Sequence, residues 1–356
     1  MANYEQELDD LLHLMLKENA SDLHITVGRH PTIRVDGGMI EIVKKPILTQ
    51  ETAEGLVFLL MTKEQQAHFI KTKDADFSYA FKNIARFRVN AFSQRGFVGA
   101  ALRFIPTKIR TLEELRIPTL IHDYCAKSQG FFLCVGPTGH GKTTTLAAMV
   151  DYVNHTRNDH IITVEDPIEY LFSSDRSTVD QREVGSDTES FSSALRAMFR
   201  QDVDVAMIGE MRDKETIAAA VTAAETGHLI LSSLHTNNAA QTIDRIIDSF
   251  PSDQQNQIRS QLSNTLIGIL SQRLIPRIEG GLVPAVELLI ANSATRNLIR
   301  ENKIHEIDLV IETSVDEGMI SLNRSIVSLI RGGEISFETA INYSSNPSEL
   351  QLLLKK

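Results

Sequence analysis

The sequence predicts an α/β protein in several parts. A small α+β domain occupies residues 1–105, a linker 106–118, a mainly parallel sheet covered by helices 119–290, and a helical region 291–356. Three observations predict this. Apolar strands FFLCV (131–135), HIITVED (160–166), DVAMIGE (204–210) and LILSSLHT (229–236) alternate with helical stretches, the pattern of parallel strands buried on both faces. The first of these strands runs straight into a glycine-rich turn, GPTGHGKTTT (136–145), and a helix leaves it. Before residue 106 the strands alternate in polarity or are rich in β-formers and are joined by short turns.

In chain order, residues 5–19 predict a helix, because Leu8, Leu11, Leu12, Met15 and Leu16 recur at helical spacing. LHITV (23–27) predicts a strand, and TIRVDGGMIEI (32–42) a hairpin turning at Asp36-Gly37-Gly38. Thr49 reads as the N-cap of one helix running to about His68. DFSYAF (76–81), ARFRVNAF (85–92) and FVGAALRFI (97–105) read as strands, with QRG between the last two. PTKIRTLEELRIP, bracketed by prolines, reads as the linker. Past residue 291, ATRNLIRE, 317–331 and 336–355 read as helices.

Composition narrows the class. Hydrophobic residues at 42% and charged residues at 23% suit a globular protein with a sizeable core. No run approaches the ~18 apolar residues of a membrane span, and the acidic start, MANYEQELDD, lacks the shape of a signal peptide. The two cysteines, Cys125 and Cys134, are too few for a disulfide framework or a four-cysteine zinc site and suit a reducing cytoplasm. A net charge of −10 and the absence of Trp argue against a nucleic-acid partner.

GPTGHGKT fits the phosphate-loop pattern G-x-x-x-x-G-K-[ST]. Gly136, Pro137, Thr138, Gly139, His140, Gly141, Lys142, Thr143 and Thr144 form the expected cradle. Its glycines let several N–H groups aim at one anion, and the following helix adds its positive end. Lys142 is expected on the β/γ phosphates and the Thr143 hydroxyl on Mg²⁺, so the implied cofactors are ATP and Mg²⁺. His140 reads as a solvent-facing variant within the loop.

Acids stand at the ends of the next strands, where ligands gather in open α/β sheets. Glu165, at the tip of ITVEDPIE (162–169), is the expected general base for water. Asp166 and Glu169 read equally well as the cap of a helix starting at Pro167. Glu210, ending VDVAMIGE (203–210), is the expected Mg²⁺ acid, while Asp213 and Glu215 suit a charged helix start. His228 and His235 flank one strand, roughly 23 Å apart at seven residues, too far to share a metal. His235 falls on the rim of Glu165 and Glu210 and could sense the γ-phosphate. His228 falls at the other end, suiting a structural or subunit-contact role, and is kept among the candidate nucleotide-site residues.

GPTGHGKTTTLAAM, ITVEDPIEY, QREVG, MIGEMRDKETIAAAVTAAETGHL and SSLHTNNAAQTIDRII occur in this order, with SDLHITVG and ARFRVNAF before them and ATRNLIRE after. Together they resemble the secretion and type IV pilus ATPases, most closely the retraction (twitching motility) branch. The resemblance covers nearly the whole chain. It implies a RecA-like P-loop ATPase core, an N-terminal PAS-like domain and C-terminal helices. It further implies a homohexameric ring in the cytoplasm, peripheral to the inner membrane at the pilus base. Partners would be an inner-membrane platform protein, the pilus machinery and related pilus ATPases.

The family also implies nucleotide bound at a subunit boundary, with N-terminal-domain arginines completing the pocket. The matching positions are Arg86 and Arg88, with Arg103 as a further candidate. The same spacing would arise on a solvated strand face. The family's AIRNLIRE signature reads ATRNLIRE here, so Thr295 brings a hydroxyl that must be satisfied if the position is packed. Other readings are a pilus-extension or type II secretion ATPase, an accessory retraction paralogue and a nucleic-acid translocase. The first usually carries a four-cysteine zinc element, which two cysteines do not supply.

Overall fold

The structure, a computed structural model, describes residues 4–35, 37–82, 84–105 and 108–355. Its contacts divide the chain into two units, 1–108 with 167–171, and 109–166 with 172–356.

The first unit opens with α1 (Tyr4–Lys17), whose apolar stripe Leu8, Leu11, Leu12 and Met15 is buried. Three short strands follow, β1 (Asp22–Ile25), β2 (Thr32–Val35) and β3 (Gly38–Glu41), then helices α2 (Gln50–Leu59) and α3 (Lys63–Thr72). Where one helix was expected there are two. Thr62 starts a second with a reciprocal capping box to Gln65, and local capping outweighs continuation of the helix. Strands β4 (Asp74–Phe81), β5 (Ala85–Gln94) and β6 (Phe97–Ile105) complete a six-stranded sheet of order β3-β2-β1-β6-β5-β4, antiparallel throughout. Arg95 and Gly96, both with positive φ (53° and 83°), make the two-residue turn between β5 and β6. The expected turn at 36–38 falls partly on Asp36, which lies outside the described residues.

One face of this sheet is core, with Leu23, Phe77, Phe87, Val89 and Leu102 buried. Strand register places Arg34, Asp22, Arg103, Arg88 and Ser78 in one row across the other face.

The second unit begins with α4 (Ile121–Cys125) and β7 (Gly130–Val135), then α5 (Lys142–Thr156), β8 (His160–Glu165), β9 (Thr178–Glu183), α6 (Phe191–Met198), β10 (Val205–Ile208), α7 (Lys214–Glu225) and β11 (Leu229–Leu234). Helices α8 (Ala239–Asp248) and α9 (Ser252–Thr265) lead into a long hairpin of β12 (Leu266–Pro276) and β13 (Leu282–Ile290). The chain ends in α10 (Ser293–Arg300), α11 (Ile307–Thr313), α12 (Leu322–Arg331), α13 (Phe337–Tyr343) and α14 (Pro347–Lys355). The sheet order is β13-β12-β7-β11-β10-β8-β9, parallel except for the edge pair β12–β13.

Burial on both faces is visible along β7 itself. Phe131, Leu133 and Val135 enter one hydrophobic cluster, and Phe132 and Cys134 enter another. That double burial is why these strands read as continuous apolar runs. Leu112 and Ile117 of the expected linker are buried in the second cluster, so 109–118 packs as part of this unit. Pro106 and Thr107 of that linker lie outside the described residues. Cys125 and Cys134 are buried free thiols, pushed up to about 12 by burial. The C-terminal helices cover the β12–β13 hairpin through Ile275, Val283, Leu322, Ile326 and Leu350.

Candidate nucleotide-binding site

The phosphate loop lies between β7 and α5. Gly136 has φ 148°, and a Cβ there would stand 2.3 Å from the Gln272 carbonyl oxygen, so only glycine fits. Gly141 (φ 84°) is the N-cap of α5, and no side chain caps the helix. The positive end of α5 is therefore presented at the loop, as an anion site requires. Strand β12 braces the loop from the side, where the Gln272 Oε1 accepts a hydrogen bond from Thr145 Oγ1 at 2.8 Å. Gln272 carried no local signal, because its role depends on pairing between β12 and β7, strands more than 130 residues apart in sequence.

His140 corrects one expectation. It is half-buried rather than solvent-facing, and its Nδ1 accepts from the Leu274 N–H at 2.8 Å, pinning the loop to β12. Burial holds its ring below the usual imidazole range, helped by the charges of Arg273 and Lys142. With Nδ1 accepting a backbone N–H, the neutral ring is the form that fits.

Lys142 is buried to 7% exposure, and its Nζ donates to the Pro137 carbonyl at 3.0 Å. It also lies 3.3 Å from His235 Nδ1, which Thr138 Oγ1 approaches at 3.2 Å. An ammonium can only donate, so His235 Nδ1 accepts and the ring proton sits on Nε2. That nitrogen faces Glu210 Oε1 at 3.3 Å. Residues from the loop, the end of β11 and the end of β10 are thus joined into one chain. Arg212 extends it, with NH2 2.9 Å from Glu210 and NH1 3.9 Å from Asp166. Burial pushes the Glu210 carboxyl up, but the hydrogen bond and charge of Arg212, with His235, outweigh it and hold the group below its usual range. Glu210 is therefore ionised at neutral pH. Thr143 and Thr144 follow Lys142 in the first turn of α5.

Glu165 ends β8 with 2% exposure, and its Oε1 accepts from Thr163 Oγ1 at 2.7 Å. Residues 166–177 are irregular, so the alternative of a helix capped by Asp166 does not hold. Asp213, by contrast, is an N-cap, accepting from Thr216 N at 2.8 Å.

His228 is not brought to the loop of its own chain. It stands before the first residue of β11, at the opposite end from His235. Its Nδ1 engages the Ala223 carbonyl at 2.9 Å and its ring meets Phe199 edge-on at 5.5 Å. Those contacts hold the ring between the end of α7 and Phe199.

The three arginines lie in the first unit. Arg86 donates to Ser78 Oγ at 2.5 Å, and Arg88 lies 3.5 Å from Glu169 within the same unit. Arg103 bonds Asp22 at 2.9 Å and remains 71% exposed. Burial would push the Asp22 carboxyl up, but hydrogen bonds from Ser21 and Arg103 hold it below its usual range. Arg34 joins this row, 3.8 Å from Asp22, and was not singled out in the sequence. Thr295 is fully buried and satisfied, donating through Oγ1 to the Ile290 carbonyl at 3.0 Å. Beside it, Arg296 gathers the carbonyls of Ala291, Ser263, Asn264 and Leu266.

Comparison with known proteins follows the same lines. The family model described as type II/IV secretion system protein matches residues 1–313. The chain is 45% identical to the type IV pilus retraction ATPase PilT of Pseudomonas aeruginosa over 94% of its length and 97% of that protein. It is 40% identical to the type IV pilus ATPase PilU of the same organism, covering 98% of the chain and 91% of PilU. A crystal structure of the pilus retraction motor PilT with bound ADP superposes with a TM-score of 0.90 at 44% identity, covering 97% and 98% of the two chains. Sequence, fold and the conjunction of loop, acids and histidine agree: the chain belongs to the type II/IV secretion system protein family.

Proposed function

We propose that the chain is an ATP-hydrolysing motor that powers type IV pilus retraction. The observation that carries this is the linked set Lys142–His235–Glu210, with Glu165 buried on the neighbouring strand end. Anion grip, acid and candidate base converge at the carboxyl ends of β7, β8, β10 and β11. The near-full-length similarity to PilT supports retraction as the work done. A nucleic-acid translocase has no comparable support.

In the proposed mechanism the loop 136–144 wraps the phosphates and Lys142 donates to the β/γ oxygens. Glu165 takes the proton of the attacking water as the bond from the γ-phosphorus to ADP breaks. Thr143 and Glu210 would hold Mg²⁺, which supplies neutralising charge on the phosphates. Among the described residues no group of three or more His, Cys, Asp or Glu could hold a metal by itself. His235, linked to both Lys142 and Glu210, is placed to register the γ-phosphate.

Arg86, Arg88 and Arg103 are proposed to offset phosphate charge in a neighbouring copy of a homohexameric ring. The ring would act in the cytoplasm on an inner-membrane platform protein at the pilus base. No helix among the described residues is long and apolar enough to cross a membrane. Deleting the gene and counting surface pili tests the reading. Excess, immobile fibres are expected, and bare cells would refute retraction. In vitro, Lys142→Ala is expected to lose nucleotide affinity and Glu165→Gln to lose turnover while keeping nucleotide. A ring poisoned by Arg86→Ala/Arg88→Ala subunits beyond simple proportion would support action across subunits.

A further inference from the structure

The QREVG stretch has no role in the proposed mechanism, yet its Gln181, Arg182 and Glu183 form the second half of β9, the strand paired in parallel with β8. Register sets Gln181 opposite Thr163 and Glu183 opposite Glu165. Alternation along both strands then puts these four side chains on one face. On that face the Glu165 Oε1 accepts two hydrogen bonds, from Thr163 Oγ1 at 2.7 Å and from Gln181 Nε2 at 3.3 Å. Gln181 is itself oriented, because its Oε1 accepts from the Phe172 N–H at 2.9 Å. A backbone donor on Oε1 settles which end of the amide faces Glu165: it must be the NH₂ end.

We propose that Thr163 and Gln181 are positioning residues for Glu165, fixing the rotamer of its carboxylate for proton abstraction. This rests on Glu165 being the base. A buried carboxylate at a strand tip has rotamer freedom that costs alignment with an attacking water, and small misplacements are expensive in rate. Two donors converging on one oxygen remove that freedom. Thr163 is fully buried, so its hydroxyl has no solvent alternative and its hydrogen bond is directed along the strand. The Phe172–Gln181–Glu165 relay also couples the irregular segment after β8 to the site.

Thr163→Val keeps shape and removes the donor; Thr163→Ser keeps the donor. Gln181→Met does the same at a half-buried position where folding is less at risk. In the full-length protein, steady-state ATPase assays and binding of a fluorescent ATP analogue are measured together. Thr163→Val and Gln181→Met are each expected to lower kcat about tenfold, with KM and analogue affinity unchanged. Thr163→Ser should stay within about twofold of the parent. Equal kcat for Thr163→Val and parent, or a Thr163→Ser as slow as Thr163→Val, would overturn the proposal. Should Thr163→Val not fold, Gln181→Met decides by the same criterion. Glu165→Gln is the control: inactive Glu165→Gln with unimpaired Gln181→Met sinks the positioning claim alone, whereas an active Glu165→Gln removes the base assignment and this proposal with it.

Discussion

Glu287, on β13, offers a prediction whose size follows from the structure. Its side chain is buried, and its Oε1 accepts from the Ala239 N–H, the first residue of α8, at 2.8 Å. Burial pushes the carboxyl up from 4.5 to about 7. The Ala239 N–H pulls it back, the charge of Asp308 pushes it further up, and Arg273 opposes. The folded state therefore prefers the neutral acid. Below pH 4.5 both folded and unfolded chains hold the proton, and the group costs nothing. Between pH 4.5 and about 7 the unfolded chain ionises first, so stability falls as pH rises. Above that window the cost is complete, about 3 kcal/mol at 1.36 kcal/mol per pH unit. Glu287→Gln keeps an acceptor for Ala239 and removes the titration. Urea unfolding of parent and variant, followed by circular dichroism, should show the variant more stable by about 3 kcal/mol at pH 8 and by less than about 1 kcal/mol at pH 5. A stability difference that does not change with pH, or a variant less stable at pH 8, would refute the argument. Groups that do not interact with Glu287 titrate alike in both proteins and cancel in the comparison.

Gly136→Ala should abolish nucleotide binding, since its Cβ would sit 2.3 Å from backbone and only a shift of β12 or the loop relieves it; isothermal titration with ADP measures this. Thr295→Val should cost about 1 kcal/mol in urea unfolding, because the hydrogen bond from the buried Thr295 hydroxyl to the Ile290 carbonyl is lost, although the Asn292 N–H still bonds that carbonyl. Glu210→Gln should retain the fold while lowering ATPase turnover by at least about tenfold, read by phosphate release at saturating ATP and Mg²⁺. Parent-like turnover would remove Glu210 from the metal role.

The phosphate loop, the strand-end acids and the parallel core could be read from residue order alone. These are local statements: a glycine turn needs glycines in place, and a strand buried on both faces is apolar along most of its length. FFLCV, HIITVED, DVAMIGE and LILSSLHT were legible for that reason. So was the polar alternation of ARFRVNAF, whose Arg86 and Arg88 do share a sheet face with Arg103. The break at Thr62 was in principle legible from its capping box, but apolar spacing continuing past it concealed the break.

The remaining features depend on pairing between distant segments and emerge only in the folded chain. Strands β12 and β13 alternate too weakly to announce themselves, yet β12 is the wall that forces glycine at 136 and anchors His140 and Thr145. Strand β9 is polar because it is an edge strand, and its polarity hid that Gln181 faces Glu165. His228 and His235 were one strand apart in sequence terms, and only their partners separated a ring held by Ala223 from one tied to Lys142 and Glu210. A side chain's residue type limits which bonds it can make; which of them it does make is set by whichever strand the fold lays beside it.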